Sequence, residues 1–282
     1  MNKVLLNLLV IAMSLSIKAQ ITTPQPSPAG TQTQKVGLTD VTVTYSRPGV
    51  KGRRIFGGLV KYGKTWRTGA NENTKITFST DITLSGYPLK KGTYALYIIP
   101  NEKSWDVIFY TDTKNWGVPK EWNEAKVAAK LKVDTYKMPM KIETFTISVD
   151  DITNTSAVLG LLWENTYVGV TFEVPTDKIV MANIADVMSA SPKAGDYYNA
   201  AVYYSENNKD IKKAGEWMEE AMSMFEKPGF WQLRQQSLIY AKMGKKKKAI
   251  EIAKKSLEGA KAADNSNYIE MNMASLKEWG AM

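Results

Sequence analysis

Hydrophobic and polar positions follow two periods along this chain, and the change between them divides it. From about residue 31 to 174 the period is two. Val41, Val43 and Tyr45 alternate with Thr42 and Thr44, Ile76 and Phe78 flank Thr77, and Tyr94, Leu96 and Ile98 alternate with Ala95 and Tyr97. Trp105, Val107 and Phe109 continue the pattern, as do Phe145 and Ile147, then Val168, Val170 and Phe172. Residues 157–163 form a more continuous apolar run. Such alternation lays one face of an extended strand on a core and the other toward water. Arg47-Pro48-Gly49, Ser85-Gly86, Lys91-Gly92, Pro100-Asn101 and Asp150-Asp151 supply turns between the runs. Short strands without long intervening helices predict an antiparallel β-sandwich over residues 35–174. Residues 121–132 fit either a helical insertion or the entry to a strand.

After Val174-Pro175-Thr176 the period becomes helical, and residues 177–282 are predicted to form a small all-α repeat domain of four or five helices. Ala214, Met218 and Ala221 align with Ala249, Ala253 and Ser256 at a spacing of 35. Tyr240, Gly244 and Ala249 stand as Y-x3-G-x4-A, which resembles a tetratricopeptide repeat. In the first copy Asn207-Asn208-Lys209 stands where the turn glycine is expected. The last helix is predicted to cap the stack.

Residues 1–19 have the pattern of a secretory signal: Lys3, an apolar run from Val4 to Ile17, and the small Ala19 before Gln20. The run is short for a membrane span, which needs about 20 apolar residues. Export to the periplasm or the medium is therefore expected, with no stable membrane span after cleavage. Residues 20–34, rich in Thr, Pro and Gln, read as a flexible linker.

Composition removes whole classes of chemistry. The chain contains no His and no Cys. That excludes Ser-His-Asp and Cys-His catalysis, disulfides and thiolate metal sites. No metal site and no cofactor is expected, and no glycine-rich phosphate loop follows a strand. Lys and Arg number 37 against 28 Asp and Glu, a net charge of +9. That excess is modest, and with the export pattern it argues against a nucleic-acid partner.

The distribution of positive charge says more than its sum. The chain has only five arginines, and Arg47, Arg53, Arg54 and Arg67 fall within 21 consecutive residues. No acid occurs between Asp40 and Glu72. A chain that otherwise uses Lys has placed planar, bidentate donors on one Gly-rich loop, which suits carboxylate, phosphate or sulfate. Trp66-Arg67-Thr68-Gly69-Ala70-Asn71-Glu72-Asn73-Thr74 adds an aromatic ring, two amides and a carboxylate, parts that also suit a sugar. The expected ligand-binding set is Arg47, Arg53, Trp66, Arg67, Asn71 and Glu72, holding an anionic or glycan ligand. The helical half is expected to dock a protein partner. Two alternatives stand beside this. Glu72 and Glu164 could act as the carboxylate pair of a glycan hydrolase. Or the module is a scaffold in which Arg47 and Arg67 pair with Glu72, Asp81 or Glu164 and merely brace the loop.

Several strings carry a resemblance: V-G-L-T-D-V-T-V-T-Y-S-R-P-G-V-K-G-R over residues 36–53, I-F-G-G-L-V over 55–60, W-R-T-G-A-N over 66–71, G-T-Y-A-L-Y over 92–97 and W-E-N-T over 163–166. Over about residues 25–173 the chain resembles the domain-of-unknown-function family 2911. The resemblance implies export and, as in some members, a helical tail. It implies no activity and no catalytic residues.

Overall fold

The structure, a computed structural model, describes residues 23–282. The predicted signal over 1–19 lies outside the described residues. The chain divides into two compact units between Thr176 and Asp177.

The first unit holds ten strands in two antiparallel sheets. The six-stranded sheet has the order β1-β2-β3-β6-β7-β8: Ala29–Val36, Thr39–Ser46, Thr74–Phe78, Gly92–Pro100, Ser104–Tyr110 and Val127–Asp134. The other has the order β5-β4-β10-β9: Tyr87–Leu89, Ile82–Leu84, Ser156–Glu173 and Tyr136–Asp150. The alternating residues of both sheets meet in one core, with Phe78 against Phe172 (ring centroids 5.7 Å apart) and Tyr45 against Phe145 (5.8 Å) joining the layers. This is the predicted sandwich.

Three local features differ from the expectation or sharpen it. The linker assigned through residue 34 ends earlier, because β1 begins at Ala29 and pairs along its full length with β2. It escapes an apolar-pattern reading because Thr31, Gln32, Thr33 and Gln34 offer no apolar face, as befits an edge strand. Residues 121–132 form a short 3-10 turn, Glu124–Lys126, leading into β8. The segment between β7 and β8 folds over the outer face of the six-stranded sheet, where Trp122 packs on Tyr97 and Tyr110 in a second small core. That cover explains why β6 reads Ala95-Leu96-Tyr97-Ile98 without a polar break: both its faces are buried there.

The second unit holds six helices rather than four or five: α1 Thr176–Met188, α2 Ala194–Glu206, α3 Ile211–Met224, α4 Phe230–Lys242, α5 Lys246–Ala262 and α6 Ser266–Glu278, with Thr176 itself counted in the first unit. The aligned small positions Ala214, Met218, Ala221, Ala249, Ala253 and Ser256 are all fully buried. Ser256 donates to the Phe230 carbonyl (2.7 Å) and so brings α5 close against the start of α4. The ends of α2, α4 and α6 recur every 36 residues. Asn208, Gly244 and Gly280 each take positive φ, and the next amide bonds back to Tyr204, Tyr240 and Leu276 respectively. Asn208 thus does in the first copy what Gly244 does in the second, and α6 is the leading helix of a third repeat.

Candidate functional site

The arginine-bearing segment after β2 runs along the rim of the sandwich. Its first residues complete an exposed edge: Val50 donates to the Glu143 carbonyl (2.7 Å) and Phe145 donates to the Pro48 carbonyl (2.9 Å), so residues 48–50 act as an extra strand on β9. Arg47 belongs to this seam. Its Nε donates to the Phe145 carbonyl (3.3 Å), one terminal nitrogen donates to Thr146 Oγ1 (3.0 Å), and the guanidinium lies 5.8 Å from the Tyr45 ring centroid. It stitches one sheet to the other. Arg53 bonds locally to the Gly49 and Val50 carbonyls, and Arg54 is exposed.

Arg67 is different. Its side chain donates to no acceptor among the described residues, and its Nε is buried without a partner. No arginine of the described residues forms a salt bridge. Glu72 pairs with Lys75 (3.2 Å) and Asp81 with Lys90 (2.9 Å). The internal ion-pair bracing of Arg47 and Arg67 is therefore not what the chain adopts: nearby lysines take the acids, and Arg47 is held by neutral oxygens.

The W-R-T-G-A-N string folds into a strained turn that fixes these groups. Thr68, fully buried and β-branched, sits at φ +57, and Asn71 also takes φ +57. Such residues cost of order 1–3 kcal/mol each and persist where the surroundings over-determine them. Gly69, at φ +150, lies so close to β2 that a Cβ there would stand 2.9 Å from the Ser46 carbonyl oxygen. Thr74 donates to the Thr68 carbonyl and Asn71 to the Ser27 carbonyl (3.1 Å), closing the turn on both sides.

This turn separates two cavities, and the expected binding set divides between them. One, of about 310 Å³, is bordered by Arg53, Trp66, Arg67, Gly69 and Trp163, with no carboxylate in its wall. The other, of about 380 Å³, is bordered by Asn71, Glu72, Asn73, Lys75 and Trp116. Arg47 borders neither. Trp66 is not an open platform. It is half-buried, stacks on Trp163 (5.6 Å, 18°), meets Phe56 and Phe145, and donates to the Gly69 carbonyl (3.1 Å).

The candidate carboxylates Glu72 and Glu164 do not border a common cavity of the two. Glu164 occupies a bulge in β10 at φ +54, with register shifts on both sides, and borders neither cavity. Glu72 is engaged by Lys75 at the mouth of the larger one. Asn73 belongs to the marked polar string but not to the expected binding set, whereas sequence reasoning missed Trp116, which stands in an irregular segment and is set apart only by its 72% exposure. The described residues contain no cluster of acids able to hold a metal ion, and no helix among them is long and apolar enough to cross a membrane.

No curated protein and no solved structure matches the chain. A family model described as "Protein of unknown function (DUF2911)" matches residues 27–172, which is more than half of the chain and covers both cavities' strained turn. The chain therefore belongs to the DUF2911 family.

Proposed function

We propose that this chain is a non-catalytic binding module whose β unit holds an anionic ligand in the cavity bordered by Arg53 and Arg67. The observation that carries the reading is Arg67: a guanidinium that donates to no acceptor among the described residues, in a cavity wall without a carboxylate, beside a second arginine. A buried donor left unpaired costs about 1–3 kcal/mol, and a carboxylate, sulfate or phosphate supplies the missing acceptors in the bidentate geometry that guanidinium favours. Pro48, Leu59, Val60 and the edges of Trp66 and Trp163 make most of the remaining wall apolar, so a ligand with an apolar part beside its anionic group fits best. The helical unit, α1 followed by two helix pairs and the first helix of a third, is the half suited to a protein partner. Export is part of the same reading, and a mature chain beginning near Gln20 in the periplasm or medium would support it.

Calorimetric titration with glucuronate, sulfated sugars and acidic peptidoglycan fragments tests the proposal. Saturable binding that Arg67→Met abolishes at unchanged melting temperature supports it. Absence of binding, or equal binding by the variant, contradicts it. The two hydrogen bonds from Arg47 to β9 favour a bracing role for that residue.

A further inference from the structure

The second cavity has a different chemistry, and it goes beyond the anion reading. Its polar border is electrically balanced, because Glu72 and Lys75 pair with each other. Ser46 and Thr44 add hydroxyls, and Ser46 Oγ already accepts from Asn71 (3.3 Å). Trp116 stands at the margin with 72% of its surface in water, and no other part of the described fold covers it. Asn73 borders the same cavity, is only 3% exposed, and has an Oδ1 without a partner among the described residues. The orientation of its amide follows from its neighbour. The Tyr97 hydroxyl spends its proton on the Gly117 carbonyl (3.1 Å), so it can only accept from Asn73 Nδ2 (3.2 Å), which turns Oδ1 the other way. The residue next to Trp116, Asn115, likewise has a buried Nδ2 with no partner. A large exposed indole, a neutral polar rim and an acceptor still lacking a donor occur together at one cavity of about 380 Å³.

We infer that this cavity binds an uncharged pyranose sugar, stacked by its C–H face on Trp116, with a hydroxyl or acetamido N–H donated to Asn73 Oδ1. A flat, weakly polar ring face matches an indole, and hydroxyl groups that both donate and accept match a rim holding amides, hydroxyls and one ion pair. An anion gains nothing here, because Glu72 opposes it. Arg67 borders the other cavity, and its guanidinium packs against Gly117, next to Trp116.

The test is titration of the full chain with maltotriose and with the N-acetylglucosamine trimer, followed by tryptophan fluorescence and calorimetry, with glucuronate as the charged control. The expected result is saturable binding of at least one neutral sugar, weakened about tenfold or more in Trp116→Ala and largely restored in Trp116→Tyr. Because Trp116 is exposed, the melting temperature should not move, so loss of binding is not loss of fold. Arg53→Met, which alters only the anion cavity, should bind the neutral sugar as the parent does, which separates the two sites. No saturable binding of either neutral sugar, or equal affinity in Trp116→Ala, overturns the inference.

Discussion

Two arginines of one loop should respond to the same substitution in opposite ways. Arg47→Met removes two charge-assisted hydrogen bonds that tie β2 to β9, at 3.3 and 3.0 Å, while keeping an apolar stem. Hydrogen bonds to charged groups contribute about 1.5–3 kcal/mol each, and partial exposure lowers that, so a loss of roughly 2–4 kcal/mol is expected. For a domain of this size each 1 kcal/mol moves the midpoint by about 2–4 °C, which gives a drop of roughly 5–15 °C. Arg67→Met removes a buried Nε that bonds nothing among the described residues. Relieving an unpaired donor should leave the midpoint unchanged or raise it by a few degrees. Scanning calorimetry of the two variants beside the parent, without ligand, measures both. Arg67→Met falling as far as Arg47→Met would refute the reasoning, since Arg67 would then have internal acceptors. So would an Arg47→Met variant that melts with the parent.

Gly69→Ala should lower the midpoint of the β unit by the equivalent of at least about 1–3 kcal/mol, because φ +150 and the Ser46 carbonyl both exclude a Cβ; urea unfolding reads it. The helical unit should weaken in alkali. Burial pushes Tyr198 and Tyr203 up to about 12, so stability present below pH 10 is lost as the pH rises toward about 12, visible as delayed tyrosinate absorbance and a falling midpoint. Acid should act through Asp177, whose carboxyl is held below 3.8 by hydrogen bonds from Lys209 and Tyr203. Its contribution is present above that value and lost as the pH falls through the lower folded one. Asp177→Asn should therefore flatten the acid limb of helical circular dichroism against pH.

What could be read from the sequence follows from which positions have a buried face. Val41, Val43 and Tyr45 announce their strand because water lies on one side only, whereas β1 has polar residues on both and is defined by its partner. In the helical unit the aligned buried positions betray the close packing of α3 on α2 and of α5 on α4. The turn of the first copy was hidden because Asn208 shares the backbone conformation of Gly244 and Gly280 and not their residue type. The arginine cluster pointed to the right stretch of chain and concealed its division. Arg67 and Asn71 are four residues apart, yet the strained turn at Thr68 and Gly69 sends them to different cavities. Pairing with acids could not be read from charge order alone, since Lys75 and Lys90 reach Glu72 and Asp81 first.

The claim that Arg53 and Arg67 await an anion is tested most directly by nuclear magnetic resonance of the arginine Nε–H groups during titration with glucuronate or sulfate. The Arg67 Nε–H should shift and gain protection from solvent exchange as the site fills, with a smaller change at Arg53. Arg47 and Arg234, already bonded to Phe145 and Thr146 and to Asn272 and Ser275, should stay in place. An Arg67 signal unmoved at saturating anion, or one that shifts no more than that of Arg234, would contradict the claim.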